Sequence, residues 1–404
     1  MAMKKIQKDF PILSTTINGK PLIYFDNAAT TQKPQAVLDA LMNFYTQSNA
    51  NVHRGVYTLA ENATQAYENA RAVVAQWINA DPSEIVFTRG TTESINLVAS
   101  TWGHCVVEKD DSIVITELEH HSNMVPWQLL AYKNDATLKY IPVHADGTLD
   151  ISKLSKLITK HTKFVALSHV SNALGVHNPI KDIIDRAHAV GAYVLIDAAQ
   201  SVAHQPIDVK KMDCDFLAFS GHKILGPTGI GVLYIKKELA KLMPPYQLGG
   251  GMVHEVDFQE TSWRPAPHKF EAGTPAIAQA IGLAAAITYL QKNVDWAELR
   301  AHEAALCTRT IQGLWAIKGI RLLGPLDQLE KVGHMVSFTV DGMHPHDVAA
   351  WLDQFGICVR AGHHCAQPLA KKLGIEASVR VSFYCYNTME EVETFLQAMS
   401  QLKV

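Results

Sequence analysis

Phe216-Leu-Ala-Phe-Ser220-Gly-His-Lys223 is a short apolar run that ends in small polar residues and a lysine. Upstream, Tyr193-Val-Leu-Ile196 is a second apolar run, which ends at Asp197 with Gln200 three residues on. Three further runs follow the same rule. Ile85-Val-Phe87 precedes Thr88-Arg-Gly90-Thr91-Thr92, Ser112-Ile-Val-Ile-Thr116 precedes Glu119-His120-His121, and Phe164-Val-Ala-Leu167 precedes Ser168-His169 and Asn172. Short apolar runs without polar alternation read as strands covered by helices on both faces. Open parallel sheets bind ligands beyond the carboxyl ends of their strands. Five polar strand ends therefore imply an α/β fold with one shared site.

Most lysines are solvated surface residues. Lys223 departs from that reading because apolar runs flank it and the strand-end pattern recurs. A lysine at a sheet edge, beside an acid ending a neighbouring strand, suits a Schiff-base cofactor. Pyridoxal 5′-phosphate needs a lysine for its aldehyde and an acid for its pyridinium nitrogen. Gly90-Thr91-Thr92 stands between a strand and a helix, where backbone N–H groups favour an anion. Alone it would read as an ordinary helix cap. Ser220 and His222 can add donors. Gly226–Gly231 lacks the spacing of a nucleotide-binding phosphate loop.

Val359-Arg360-Ala-Gly362-His363-His364-Cys365 places a thiol in a glycine-containing turn near an arginine and two histidines. Nearby positive charge raises the thiolate fraction. The competing readings are a small inert buried cysteine and a zinc site, for which the adjacent His-His-Cys spacing is poor. A reactive nucleophile is favoured over both. Arg380, in Ser378-Val-Arg-Val-Ser382, suits either a bidentate carboxylate clamp or an exposed strand position.

The 404 residues allow two or three domains with a large core. A net charge of −3 gives no basic face for nucleic acid. The charged stretch Met1–Asp9 lacks the apolar core of a signal peptide, and no apolar run is long enough to span a bilayer. Six irregularly spaced cysteines read as reduced thiols, which implies a cytoplasmic location. Residues 1–25 are expected to form an N-terminal segment packing on a smaller unit, residues 26–290 a large α/β domain, and residues 291–404 a small α+β domain that carries Cys365. The stretch 246–275, rich in Gly, Pro and charge, reads as an irregular active-site or subunit-contact loop. Helices are expected over 276–290, 296–315, 346–355 and 388–402, and small-domain strands over 335–340 and 379–383.

The chain resembles the cysteine desulfurases of the SufS type, within the aminotransferase class-V family and the aspartate-aminotransferase-like fold type I of pyridoxal-phosphate enzymes. The resemblance rests on Tyr24-Phe-Asp-Asn-Ala-Ala29, Asn51-Val-His53-Arg54-Gly55, Arg89-Gly-Thr-Thr-Glu93, Glu119-His-His121, His169-Val-Ser-Asn172 and Asp197-Ala-Ala-Gln200. It continues through Ser220-Gly-His-Lys223, Phe270-Glu-Ala-Gly-Thr-Pro275, Arg360-Ala-Gly-His-His-Cys365 and Arg380. It implies conversion of L-cysteine to L-alanine with a persulfide on Cys365, for iron–sulfur cluster assembly, with selenocysteine lyase as a side activity.

The roles it implies run as follows. Lys223 holds the cofactor and moves the substrate α-proton. Asp197 bonds the ring nitrogen, Gln200 the ring hydroxyl, and His120 stacks on the ring. Thr91, Thr92, Ser220 and His222 surround the phosphate, joined in a homodimer by Thr274 of the partner subunit. Asn172 and Arg380 hold the substrate carboxylate, and His53 and Arg360 line the pocket. The resemblance also implies a sulfur-acceptor protein of the SufU or SufE type. For a zinc-containing acceptor, His346 in His344-Pro-His-Asp347 is a candidate transient zinc ligand. The plainer alternative is that Asp347 and its neighbours cap a helix. An aminotransferase, or a sulfur-assembly scaffold with a vestigial cofactor site, are the rival readings.

Overall fold

In the computed structural model, residues 6–402 are described. The first five residues, part of the charged N-terminal stretch, and the last two lie outside them. A seven-stranded sheet runs in the order Ile85–Thr88, Gly231–Ile235, Phe216–Ser220, Tyr193–Asp197, Thr162–Ser168, Ser112–Thr116, Thr137–Ile141. Gly231–Ile235 is antiparallel to both its neighbours, and the other pairings are parallel. All five strands recognised in the sequence therefore point their carboxyl ends to one edge.

Strand side chains alternate between faces, and here each face has its own core. Val165, Leu167, Val194, Ile196, Leu217 and Phe219 join one apolar cluster. Phe164, Ala166, Leu195, Phe216 and Ala218 join another. Both faces are covered, so the strands carry no polar alternation.

Two strands of this sheet escaped the sequence reading. Thr137–Ile141 is a partly exposed edge strand with a mixed sequence. Gly231–Ile235 is fully buried, but its start is disguised by the glycine cluster. Gly231 must be glycine for packing: a Cβ there would lie 2.4 Å from the Gly90 Cα. The 246–275 stretch is more regular than its composition suggests. It contains an antiparallel hairpin of Val253–Val256 and Thr261–Trp263.

A second sheet of four antiparallel strands, Ile320–Leu323, Met335–Val340, Ser378–Ser382 and Arg360–Gly362 in spatial order, lies C-terminal to the helix Ile277–Asn293. The helices Trp296–Trp315, Pro345–Asp353 and Met389–Ser400 pack with it around a third cluster. Ile23 and Phe25 belong to that cluster, and Ile23–Tyr24 pairs in parallel with Ile357–Cys358. The segment after them turns to the large sheet. Asn27 Nδ2 donates to the Ser382 carbonyl at 2.6 Å, while the Ala28 carbonyl accepts from Gln200 Nε2 at 2.9 Å. Among the described residues no helix is long and apolar enough to cross a membrane.

A buried ion network ties Phe270–Pro275 to the first large-sheet strand. Arg71 binds Glu271 through both terminal nitrogens, at 2.7 and 2.9 Å. Its Nε donates to Glu68 at 2.8 Å, and Glu271 also accepts from the Phe87 N–H at 2.7 Å. Removing one partner of such a pair strands the other charge away from water. Arg71→Ala is expected to lower unfolding stability by about 3–5 kcal/mol, read as a fall in the urea midpoint. Arg309→Ala, at an exposed pair with Glu393, is expected to leave the midpoint nearly unchanged.

Candidate active site

The five strand ends converge on one cavity. Thr91 and Thr92 reach it from the first strand, His120 and Ser122 from the next, then Ser168 and Asn172, Asp197 and Gln200, and finally Ser220, His222 and Lys223. Arg360, His364 and Arg380 enter from the small sheet, and Ala28 and Ala29 from the N-terminal segment.

Lys223 ends a single 3-10 turn, Gly221–Lys223, directly after its strand. Burial pushes its amine down to about 8, with the Asp197 carboxylate opposing that shift. A minority at neutral pH, far more than for an exposed lysine, is thus the neutral amine that attacks a carbonyl. Among the described residues, no hydrogen bond or ion pair engages this amine. Asp197 is the last residue of its strand and accepts from the Ala199 N–H at 2.9 Å. Burial raises its pKa, and that hydrogen bond and Lys223 act against the rise.

His120 accepts the Ser122 N–H on Nδ1 at 3.0 Å. Burial and the nearby cations lower its pKa to about 3. The ring is therefore neutral and free to lie against an aromatic ligand. Beneath it, Glu119 accepts from Thr116 Oγ1, Asn123 Nδ2 and the Ser168 N–H, which fixes the turn. Thr91 donates its N–H to Ser220 Oγ at 2.9 Å, and the two hydroxyls lie 2.8 Å apart. The Thr92 hydroxyl lies 2.7 Å from that of Ser122. These groups surround the N-terminus of the helix Thr91–Val98, a setting for a phosphate. Burial holds His222 at about 4, so it is a neutral donor or acceptor.

Arg380 is buried, which rules out the exposed-strand alternative. Its terminal nitrogens reach the Asn172 carbonyl and Asp26 Oδ1, the latter at 3.2 Å. Burial lowers its pKa to about 10. Arg360 stands directly opposite Arg380 in the antiparallel register. Like charges facing each other across a ladder repel, so an anion between them is favoured. The Asp26 pairing was not legible locally, because 354 residues separate it from Arg380.

Arg360 also lies against the thiol, with Nη2 3.9 Å from Cys365 Sγ. The three residues of His-His-Cys splay apart. His363 is exposed, while His364 is buried with Nε2 2.9 Å from the Ser378 hydroxyl. His364 and Cys365 both have left-handed backbone, φ 53° and 55°. Two successive non-glycine residues in that region store strain unless the surroundings fix them. Here Asn172 Nδ2 donates to the His364 carbonyl, and His121 donates its N–H to the Cys365 carbonyl at 2.8 Å. His121 carried no signal of this task in the sequence.

Two sequence-predicted residues lie elsewhere in this chain. Thr274 and His53 line a second pocket with Arg54, Arg264, His268 and Glu271. His53 Nε2 sits 2.9 Å from Glu68, itself bound to Arg71. His346 is exposed in the first turn of the helix Pro345–Asp353. The cap of that helix is His344, whose Nδ1 accepts the His346 N–H at 3.2 Å. The cap thus comes from a neighbour of Asp347, which itself sits inside the first turn.

The buried lysine, the opposed carboxylate, the neutral imidazole and the hydroxyl-lined helix end fit pyridoxal phosphate, which is the cofactor. Residues 23–395 match the aminotransferase class-V family. A probable cysteine desulfurase of Halalkalibacterium halodurans is 48% identical over 404 residues, covering 100% of this chain and 98% of that protein. A probable cysteine desulfurase of Staphylococcus aureus is 48% identical over 402 residues, covering 99% and 97%. The apo structure of a cysteine desulfurase from Thermococcus onnurineus superposes with a TM-score of 0.93 at 46% identity, covering 98% and 97%. The cysteine desulfurase CsdA of Escherichia coli gives 0.91 at 39% identity, covering 99% and 98%. The fold, the cavity and these relatives agree: the chain belongs to the aminotransferase class-V family and, within it, to the cysteine desulfurases.

Proposed function

We propose that this enzyme is a SufS-type desulfurase that moves the sulfur of L-cysteine onto Cys365 and releases L-alanine. The observation that carries the reading is one cavity with a buried lysine and acid on one side and, beside it, a thiol flanked by Arg360. When bound, pyridoxal phosphate supplies an electron sink for the substrate α-carbanion. Lys223 holds the cofactor and moves the α-proton. Asp197 keeps a proton on the ring nitrogen, Gln200 meets the ring hydroxyl, and His120 covers the ring face. Thr91, Thr92, Ser220 and His222 hold the phosphate.

Arg380 and Asn172 take the substrate carboxylate, with Arg360 lining the pocket; His53 stands apart in the second pocket, beside Thr274. The Cys365 thiolate then forms a bond to the substrate sulfur as the carbon–sulfur bond breaks. The bonding pair stays with carbon, which takes a proton, and Cys365 is left as a persulfide. Residues 26–290 act as the cofactor-binding unit and 291–404 as the unit that presents the thiol. The persulfide sulfur serves iron–sulfur cluster assembly, and selenocysteine is an alternative substrate. The six free cysteines suit a reducing compartment, so the location is cytoplasmic.

The active form is a homodimer in which Thr274 of the partner subunit completes the phosphate site. Exposed large apolar side chains support this: Val56 is 95% and Met42 64% accessible, with Tyr45 and Tyr57 beside them in sequence.

Lys223→Ala is expected to lose the visible absorbance of lysine-bound cofactor together with all alanine formation. Cys365→Ala is expected to keep cofactor absorbance and respond spectrally to L-cysteine, while releasing almost no alanine. Wild-type alanine yield from it would make Cys365 merely structural.

Light scattering is expected to give a dimer. Mixing inactive Lys223→Ala and Thr274→Ala proteins, with subunit exchange, is expected to restore activity through hybrid dimers with one intact site. No restoration after exchange would exclude shared sites.

The sulfur acceptor is a SufU-type zinc protein, for which the exposed His346 imidazole is a ready ligand; a SufE-type acceptor needs no such group. His346→Ala is expected to keep wild-type turnover with a chemical reductant and lose most stimulation by the zinc protein. Equal stimulation of both enzymes would leave His346 as a surface residue.

A further inference from the structure

The turn that carries Lys223 is strained and is held from outside. Leu225, two residues after the lysine, has φ 60°, a region that branched residues rarely occupy. It is fully buried, so packing and hydrogen bonds must hold it there. One hydroxyl reaches both sides of the lysine. Thr31 Oγ1 accepts the Leu225 N–H at 3.0 Å and lies 3.1 Å from the His222 carbonyl, to which it donates. The Thr31 N–H donates to the same carbonyl at 3.0 Å. The Thr30 hydroxyl and the Lys33 ammonium, each at 3.1 Å, complete the set of donors on it.

Thr31 is buried and does not line the cavity. Its segment also joins the two sheets. Asn27 binds Ser382 and Asn387, Ala28 binds Gln200, and the Gln32 N–H donates to the Tyr386 hydroxyl at 2.9 Å. The lysine turn is thereby referenced to the small sheet through a single stretch of chain.

We propose that the Thr31 hydroxyl is a positioning residue for Lys223, clasping the backbone on both sides of the lysine so that its amine is held at one place in the cavity. The clasp rests on the assignment of Lys223 as the reacting amine. A hydroxyl both gives and takes a hydrogen bond, and valine, of the same shape, can do neither.

The test compares Thr31→Val, Thr31→Ser and the wild type in two ways. In cofactor-free protein, hydrogen–deuterium exchange at the Leu225 amide is expected to speed up about tenfold in Thr31→Val and to stay near wild type in Thr31→Ser. In holoenzyme with L-cysteine, Thr31→Val is expected to lose about tenfold in kcat per bound cofactor with KM within about twofold, and Thr31→Ser to recover most of it. Thr31→Ala removes the hydroxyl without setting a methyl against the carbonyl. It carries the same expectation should the valine protein fail to fold.

Unchanged Leu225 exchange, unchanged kcat per bound cofactor, or equal loss in the serine and valine proteins overturns the clasp. The exchange measurement needs no assumption about the reaction. If Lys223→Ala abolishes activity while Thr31→Val does not change it, the clasp fails and the lysine assignment stands.

Discussion

Desolvation at the carboxyl edge of the large sheet governs the chemistry of the molecule. Lys223 and Asp197 are withdrawn from water at the ends of adjacent parallel strands. Each is charged at a cost unless the other is charged too. The same burial keeps His120, His222 and His364 neutral. The imidazoles thus add hydrogen bonding and ring surface without adding charge. Net positive potential comes from Arg360, Arg380 and Lys223, against the carboxylates of Asp26 and Asp197. Anionic groups, a phosphate and a carboxylate, are what such a cavity draws in.

The small sheet is the second half of that arrangement. Its strands Ser378–Ser382 and Arg360–Gly362 bring two arginines face to face, a costly pairing in isolation. Asp26, from the N-terminal crossing segment, offsets one of them. The segment 23–32 therefore serves the core, the charge balance and the lysine turn at once. Its sequence carries little periodic signal, because almost every residue bonds to something distant in the chain.

The sequence was most informative where chemistry and local structure coincide. Lys223, Asp197, His120 and Thr91 sit at the ends of unmistakable apolar strands, so one pattern located both sheet and site. It was least informative where a role depends on distant neighbours. Arg380 was ambiguous because a β-like alternation says nothing about which face is buried. The 344–347 segment was expected to cap a helix, and it does so through His344, which precedes the proline at the first helical position; which of its residues would cap was not legible. His53 belongs to another pocket of the same chain, a separation that no motif spacing encodes. The 253–263 hairpin was hidden by glycine, proline and charge, which describe its flanks better than its strands.

The successive left-handed residues at His364 and Cys365 have a mechanical consequence. Their carbonyls are pinned by Asn172 and His121, and a neighbouring glycine, Gly362, already has φ 128°. The backbone around the thiol has little freedom left to trade. A second sulfur bonded to Cys365 extends the side chain by about 2 Å, and that displacement must come from rotation about the Cα–Cβ bond. On the proposed reading, the sulfur is carried on a fixed post rather than a swinging arm. Whatever receives it has to come to the enzyme, and the shape of the rim around the loop, more than the reach of the loop, decides which molecules can.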